Sequence, residues 1–437
     1  MITMSQPPIG LLDRRQFVSG AALASLAVST SAWQGASPGV EAAFPALRQQ
    51  INGHPLAYLD SAATTLRPRA VIDAIAEFYA TANANPSPVH TLARRAGERL
   101  TAARQAVARF VNAAAPDEII FTRGTTEGIN LVAETWGRAN VRAGDEVMLT
   151  VAEHNSNLLP WTRVAERAGA RLRIVDVDED GRLRMDQFKE MLSARTRVVA
   201  FSHVSNVLGL INPAKEICAL ARQAGARVVI DGAQGAPHTP IDVKDLQCDF
   251  YVFSSHKLLG PMGCGVVWGR RELLEEMPPY QVGSNMAHDA DFARASYEHG
   301  ALKYQAGTPD VAGPVGLAAA LEFLNAKGAG ALWQHDQALV NHGLQRLAQI
   351  PSLRLIGPRT VDHRVPVFTF RLGDRPAAAV ARALDARGIA VRAGDMAALP
   401  LLRRFGVSEA VRASAYLYST TGDLDRLAEA LQQVLKG

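Results

Sequence analysis

A lysine at the end of an apolar stretch is the first residue in this sequence that could do chemistry. Lys257 follows Phe250-Tyr251-Val252-Phe253-Ser254-Ser255-His256. Burial at such a position lowers the pKa of an amine and makes it a nucleophile near neutral pH. An isolated lysine is more often solvated, so its interpretation depends on the residues near it.

Four other polar residues follow apolar stretches in the same way. Asp231 either caps a helix or sets a fixed charge against a ligand cation, and Thr125 and Thr126 either cap a helix or bind an anion at its start. His154 adds a ring that can stack on a ligand. A lysine for a Schiff base, a carboxylate for a pyridinium nitrogen, a phosphate site and a stacking ring are the groups that pyridoxal 5'-phosphate needs.

The elements that position these residues follow from the alternation of short apolar runs with longer amphipathic stretches. This pattern predicts an α/β fold with a mostly parallel seven-stranded sheet flanked by helices, and polar groups that meet at the carboxyl ends of its strands. The predicted strands are Glu118–Thr122, Glu146–Val151, Arg171–Val177, Arg197–Ser202, Arg227–Ile230, Asp249–Phe253 and Gly265–Trp268. Helices are predicted within 68–112. A smaller α/β domain is predicted from about Val315, with strands at Val365–Leu372 and Ile389–Arg392.

The composition excludes several classes of protein. The 437 residues are 48% hydrophobic and 20% charged, which argues against disorder and against a multi-span membrane protein. The net charge of +4 comes without a Lys/Arg run, so nucleic acid is not an expected partner. The three cysteines, Cys218, Cys248 and Cys264, lack the spacing of a disulfide framework or a metal site.

The amino terminus has the pattern of an export signal. Arg14-Arg15-Gln16-Phe17 precedes an apolar run to about Ala32, which is too short to span a membrane as a helix. It resembles a twin-arginine signal and predicts a bacterial protein that is periplasmic or otherwise exported by the twin-arginine machinery, without a span in its mature form. A basic amphipathic or disordered tail is the alternative. The predicted organisation is a signal at 1–36, a large domain at 37–314, whose segment 37–66 packs partly with the small domain, and a small domain at 315–437.

Seven stretches of the sequence resemble one family, the class V aminotransferases of pyridoxal phosphate fold type I, and within it the SufS-type cysteine desulfurases and selenocysteine lyases. The resemblance spans nearly everything after residue 41. The stretches are Tyr58–Thr65, Phe121–Asn130, Glu153–Asn157, His203–Gly209, Asp231–Gln234, Ser255–Pro261 and Ala306–Pro309.

The resemblance implies a role for each matching position. Lys257 would hold the cofactor as a Schiff base and act as the base, Asp231 would pair with the ring nitrogen, and His154 would stack on the ring. Asn206 and Gln234 would address the ring hydroxyl, and the phosphate would bind Thr125, Thr126, Ser254 and His256. Thr308 would reach the active site of a neighbouring subunit, which implies a homodimer. Arg412 and Asn206 would bind an amino acid substrate, with its carboxylate on Arg412.

The resemblance breaks at the residue that decides the reaction. The SufS family carries a cysteine that attacks the substrate sulfur, and Ala397 stands at that position here. The family's second adjacent histidine is Asn155, the stretch Asn85–His90 is altered, and Gln281–Met286 lacks the family's glutamate.

Three hypotheses remain open at this point. The first is a carbon–sulfur or carbon–selenium lyase that forms no enzyme persulfide. The second is transamination, epimerisation or tailoring of another amino acid or a secreted metabolite. The third, a binding protein without catalysis, is disfavoured by Lys257, Asp231 and His154.

Overall fold

The computed structural model describes residues 40–436, which belong to one compact unit. The predicted export signal lies outside the described residues. Among the described residues, no helix is both long and apolar enough to cross a membrane.

The strands group into one large sheet, one smaller sheet and three short pairs. They are β1 Gln50–Ile51, β2 His54–Pro55, β3 Ala57–Tyr58, β4 Ile119–Thr122, β5 Glu146–Thr150, β6 Arg171–Val175, β7 Thr196–Ser202, β8 Arg227–Asp231, β9 Phe250–Ser254, β10 Gly265–Gly269, β11 Ala287–Ala290, β12 Ala295–Tyr297, β13 Leu353–Ile356, β14 Val367–Leu372, β15 Ile389–Ala390, β16 Arg392–Gly394 and β17 Ala410–Ser414.

The helices alternate with these strands. They are α1 Val40–Ala43, α2 Arg69–Thr81, α3 Thr91–Phe110, α4 Thr125–Val132, α5 Arg138–Asn140, α6 Asn155–Ala168, α7 Met185–Met191, α8 Ala214–Gln223, α9 Gly235–His238, α10 Val243–Leu246, α11 Arg271–Glu276, α12 Ala312–Lys327, α13 Ala329–Ala348, α14 Ala377–Asp385, α15 Leu399–Arg404 and α16 Thr421–Lys436. A π-helical turn, Ala133–Gly137, joins α4 to α5, and short 3-10 helices form at Pro45–Arg48, Pro116–Glu118, Ser255–Lys257 and Gly300–Tyr304.

The predicted mostly parallel seven-stranded sheet is confirmed, with the strand order β4-β10-β9-β8-β7-β5-β6. The pairs from β9 through β8, β7 and β5 to β6 are parallel, whereas β10 runs antiparallel to both β9 and β4. Strands β5, β9 and β10 are buried along their whole length, which explains their continuous apolar sequences. Because β10 is antiparallel to both of its neighbours, β4 runs in the same direction as β9. Six strands therefore end at the same edge of the sheet.

A second sheet, in the order β13-β14-β17-β16, forms in the carboxyl-terminal part of the chain. The segment after α1 joins this part: β3 pairs with β15 in parallel, and Ala57 and Leu59 belong to the same apolar cluster as Phe368 and Phe370. The predicted domain boundary after residue 314 falls inside α12.

Candidate active site

A cavity of about 480 Å³ opens where the strands β4, β5, β7, β8 and β9 end. Ligand cavities in proteins commonly have this size, on the order of 300–1,000 Å³. The cavity brings together every residue predicted for the site except one: Thr125, Thr126, His154, Asn206, Asp231, Gln234, Ser254, His256, Lys257 and Arg412.

Thr308 is the exception. It lines a different cavity, of about 340 Å³, together with Arg123, Tyr280 and Asp310. Within a single chain it therefore does not contribute to the cavity that holds Lys257. Its predicted role in the site of a neighbouring subunit stays a prediction.

Lys257 lies half-buried on the cavity wall, in the 3-10 turn that follows β9. Burial lowers the pKa of its amine to about 8, and the nearby Arg412 guanidinium acts in the same direction, while Asp231 opposes both. Asp231 is the last residue of β8, and its Oδ1 accepts a hydrogen bond from the Ala233 amide at 2.9 Å. Burial raises the pKa of Asp231, and Lys257 limits the rise.

A cluster of hydroxyl groups surrounds the start of α4. The hydroxyls of Thr125 and Ser254 share a hydrogen bond of 2.7 Å, and the Thr125 amide donates to Ser254 Oγ at 2.8 Å. Thr126 shares a 2.7 Å hydrogen bond with Ser156, a cavity residue that the sequence analysis missed. Hydroxyls and amides at the start of a helix are suited to a phosphate group.

A glycine brings β10 against the turn that precedes α4. A Cβ atom at Gly265 would lie only 2.4 Å from the Cα of Gly124. No other residue type fits at Gly265 without moving that turn, and the turn sets the position of Thr125.

His154 caps α6 and is held neutral. Its Nδ1 accepts a hydrogen bond from the Ser156 amide at 3.0 Å, so in this tautomer the ring proton is on Nε2. Burial, Lys257 and Arg412 together lower the pKa of His154 to about 4. Burial and Lys257 also lower the pKa of His256 to about 4, so both imidazoles are neutral at pH 7.

Two arginines meet one aspartate on the opposite side of the cavity. Arg412 of β17 is buried; its Nη1 donates to the Asn206 carbonyl at 3.0 Å, and its Nη2 lies 3.6 Å from Asp60 Oδ1. Arg392 of β16 pairs with Asp60 Oδ2 at 2.6 Å. The buried Nε of Arg412 has no hydrogen-bond partner in the described chain, which is the arrangement of a guanidinium that receives an anionic ligand. The sequence analysis assigns no role to Arg392 or to Asp60, although Asp60 lies within the stretch Tyr58–Thr65 that carries the resemblance.

Ala397 lies on the cavity wall, in the loop between β16 and α15. The Asn155 amide donates to its carbonyl at 2.7 Å, and Asn206 Nδ2 donates to the Met396 carbonyl at 2.9 Å. The loop is thereby fixed to the end of β7 and to the start of α6. The structure thus places a methyl group at the position where the resemblance implies a cysteine.

None of the three cysteines lines this cavity. Cys218, Cys248 and Cys264 are all buried, and burial raises the pKa of each thiol, that of Cys218 to about 12. Such thiols are not nucleophiles near pH 7. The described residues also contain no cluster of three or more His, Cys, Asp or Glu side chains that could hold a metal ion.

The sequence analysis also missed a buried carboxylate below the cavity. Glu153 accepts hydrogen bonds from the Thr150 hydroxyl at 2.5 Å, from Asn157 Nδ2 at 2.7 Å, and from the hydroxyl and amide of Ser202 at 2.7 and 3.2 Å. Burial raises its pKa to about 7, against the effect of these donors. Glu153 connects β5 and α6 with β7 directly behind His154.

The donor set of the cavity fits pyridoxal 5'-phosphate. Lys257 supplies an amine of lowered pKa, Asp231 a fixed carboxylate, His154 a neutral ring, and the start of α4 a cluster of hydroxyls. The unpartnered guanidinium nitrogen of Arg412 leaves a place for the carboxylate of an amino acid. Cofactor and substrate would thus both find charged partners here.

A family model described as aminotransferase class-V matches residues 57–427. The chain belongs to the class-V aminotransferase family. The predicted family, the α/β fold of its pyridoxal phosphate enzymes and the cofactor are thereby confirmed.

Several relatives of this chain are named cysteine desulfurases. One from Synechococcus elongatus is 45% identical over 90% of this chain and 63% of its own length, so this chain spans less than two thirds of that relative. One from Enterobacter is 44% identical over 90% of this chain and 97% of its own length. The apo structure of a cysteine desulfurase from Thermococcus onnurineus matches with a TM-score of 0.87 at 32% identity and covers 93% of this chain and 100% of that chain.

Proposed function

We propose that this enzyme is a carbon–sulfur or carbon–selenium lyase that acts on a cysteine-like amino acid without an enzyme persulfide. The names of its relatives support a cysteine-like substrate, and they do not favour transamination or tailoring of an unrelated amine. The observation that carries the proposal is Ala397 on the cavity wall while the three thiols are buried elsewhere.

Lys257 is the group that moves the substrate proton. Bound pyridoxal 5'-phosphate supplies an electron sink that acidifies the α-hydrogen of an amino acid. An amine whose pKa is about 8 is partly neutral at pH 7 to 8, and its Nζ can take the α-hydrogen as a proton. Asp231 can hold a proton on the ring nitrogen, because its carboxylate is fixed by the Ala233 amide.

Arg412 orients the substrate. A guanidinium can bind a carboxylate through two parallel hydrogen bonds, and this guanidinium has a buried nitrogen available. Asp60 holds Arg412 and Arg392 from behind, so the pair does not depend on the ligand for its position. Because Ala397 lines the same cavity as Arg412, we expect the side chain of a bound substrate to lie near its loop.

The leaving group must depart without attack by an enzyme thiol. Selenide, the sulfur of a sulfoxide and one half of a disulfide can do so by leaving with the electron pair of their bond to carbon, which gives pyruvate. A sulfinate can do so by leaving as sulfur dioxide, with the electron pair staying on the β-carbon, which gives alanine. Cysteine itself would have to lose hydrosulfide by elimination, and hydrosulfide is a poor leaving group. In the resembling family the enzyme thiolate instead attacks the substrate sulfur, which stays on the enzyme as a persulfide while the electron pair of the carbon–sulfur bond stays on the β-carbon and gives alanine. We therefore expect slow release of sulfur from cysteine and faster release from activated analogues.

The test is product analysis with purified, cofactor-loaded enzyme. Cysteine, selenocysteine, cysteine sulfinate and cystine are supplied separately, and alanine, pyruvate, sulfide and selenide are measured. Turnover of one or more activated substrates, with little of cysteine, supports the proposal. Rapid desulfuration of cysteine contradicts it, and the absence of any product points to another amine substrate.

We also propose that the enzyme is exported to the periplasm through the twin-arginine pathway. The support is the sequence Arg14-Arg15-Gln16-Phe17 ahead of a short apolar run. Replacement of both arginines by lysine should retain the protein in the cytoplasm of the producing bacterium. Periplasmic recovery of that double variant would overturn the proposal.

A homodimer is the third part of the proposed function. Thr308 matches a family residue that reaches the neighbouring site, and it lies outside the Lys257 cavity of its own chain. A hydroxyl donated by a second subunit would complete the phosphate site.

A further inference from the structure

The loop between β16 and α15 brings a carboxylate to the cavity. Asp395 lies on the cavity wall with its side chain exposed. The other carboxylates near the cavity have cationic neighbours: Asp231 faces Lys257, and Asp60 pairs with both Arg392 and Arg412. Asp395 forms no ion pair within the described part of the chain.

The backbone holds Asp395 in a defined position. Its Oδ1 accepts a hydrogen bond from the Ala397 amide at 3.0 Å, and its carbonyl accepts one from the Ala398 amide at 3.0 Å. Asn206 and Asn155 hold the next two residues of the loop. Oδ2 accepts no hydrogen bond from residues 40–436, so one oxygen of a fixed carboxylate is available to a ligand.

The cavity therefore presents a specific set of charges. Arg412 and Arg392 can each bind a carboxylate, the α-amino group would take the place of the Lys257 amine on the cofactor, and Asp395 adds an anion on the loop that contains Ala397. Cysteine and selenocysteine have no group beyond sulfur or selenium to contact Asp395. A sulfinate would bring a negative charge to this wall, where a carboxylate repels it.

We propose that Asp395 binds the distal ammonium group of an amino acid disulfide, and that the substrate is cystine. The inference rests on the proposed lyase function and specifies its leaving group. The two carboxylates of cystine match Arg412 and Arg392, one amino group would replace Lys257 on the cofactor, and the distal ammonium matches Asp395. The distal half of the molecule occupies the space that the family's cysteine side chain would fill at Ala397.

The reaction balances without an oxidant or a reductant. The bond between the β-carbon and the proximal sulfur breaks, the α-hydrogen passes to Lys257 Nζ as a proton, and the electron pair leaves with sulfur as a perthiolate. Water completes the products: cystine and water give pyruvate, ammonia and cysteine persulfide. The persulfide forms on the leaving group, so no enzyme thiol is required.

The test compares two disulfides that differ only in the distal amino group: cystine and the mixed disulfide of cysteine with 3-mercaptopropionate. We expect kcat/KM for pyruvate release to be about tenfold higher for cystine, the usual order for one charge-assisted contact. In Asp395→Asn this preference should fall to about twofold or less. Asp362→Asn, which changes an exposed aspartate away from the cavity, should keep the preference.

A binding measurement separates this inference from the proposed function. Cofactor-loaded Lys257→Ala, with and without Asp395→Asn, is titrated calorimetrically with both disulfides. If the variant that retains Asp395 binds the two disulfides with equal affinity, Asp395 does not bind the distal ammonium group. The same conclusion follows if the preference for cystine remains after Asp395→Asn. Turnover of selenocysteine or sulfinate but of neither disulfide overturns the role of Asp395 too, while the lyase function stands. If cystine binds in a way that depends on Asp395 but no substrate is turned over, the binding site is supported and the lyase function is contradicted.

Discussion

The roles of individual residues in this enzyme depend on burial as much as on residue type. Lys257, His154 and His256 all have lowered pKa values because the protein removes water from them and places cations near one another. The sequence analysis could identify Lys257 and Asp231 because each directly follows an apolar strand. It could not identify Asp60, whose importance arises only when Arg392 and Arg412 come together from other strands.

The pKa of Lys257 can be measured without catalysis. In the apo enzyme we expect labelling of this amine by acetic anhydride to reach half its maximal rate at about pH 8, because burial favours the neutral form. Mass spectrometry of the digest gives the rate for each lysine at each pH, and exposed lysines serve as the internal comparison. A half-maximum near pH 10.5 would show that the cavity does not perturb the amine.

Glu153 provides a pH-dependent contribution to stability. Its pKa is raised to about 7 in the folded protein, so the folded state holds the proton more strongly than the unfolded state does. This contribution is complete below about pH 4.5 and is lost as the pH rises through 7, by an amount on the order of 3 kcal/mol.

We therefore expect the free energy of unfolding of the wild type, relative to Glu153→Gln, to fall between pH 5 and pH 8. Denaturant titrations at both pH values measure it. Glu179→Gln, at an exposed position, serves as the control and should show no such difference. A pH-independent gap between the wild type and Glu153→Gln would mean that the buried carboxyl keeps an ordinary pKa.

At the scale of elements, the periodic apolar patterns of the sequence predict the strands of the large sheet well. They do not predict the backbone conformation of the loops. All seven strands predicted for the large sheet exist within two residues of their predicted ends, since buried strands have clear apolar runs. The strand predicted at Ile389–Arg392 is instead divided between β15 and β16, which belong to different sheets. The sequence does not predict the antiparallel direction of β10, because parallel and antiparallel buried strands have the same apolar pattern. The loop at Met396 and Ala397 adopts φ angles of 54° and 53°, and no glycine marks that backbone in the sequence.

This loop leads to a prediction for Ala397→Cys. Because hydrogen bonds from Asn155 and Asn206 hold the backbone, the new thiol should face the cavity. We expect alanine formation from cysteine to rise by about tenfold or more, with a persulfide that can be alkylated at position 397. Product assays and mass spectrometry measure both effects.

Ala397→Ser is the matched control, because it adds a polar atom of similar position without a thiol. Its rate with cysteine should stay at the wild-type level. If Ala397→Cys folds, binds the cofactor and still fails to accelerate the reaction, the missing thiol does not explain the difference from the cysteine desulfurases.

For the whole molecule, the proposed dimer predicts complementation between inactive subunits. In a mixed dimer of Lys257→Ala and Thr308→Ala, one site would combine an intact Lys257 with an intact Thr308 from the other subunit. Co-expression in equal amounts should restore about a quarter of the wild-type activity, although Lys257→Ala alone has none and Thr308→Ala alone binds the cofactor weakly.

Cofactor occupancy, read from visible absorbance, gives a second measure for the same variants. If Thr308 acts only within its own chain, the mixed dimers will show no more activity than the two separate proteins together. Sedimentation of the wild type establishes whether dimers form at all.

The contact of Asp60 with Arg412 also bears on how the protein is made. One partner lies near the start of the folded region and the other lies on the last strand, β17, shortly before the final helix. The substrate carboxylate site therefore cannot exist until the chain as far as β17 has left the ribosome. Any premature stop codon upstream of position 412 yields a chain that can contain Lys257 and every predicted phosphate-binding residue and still lacks the means to hold an amino acid.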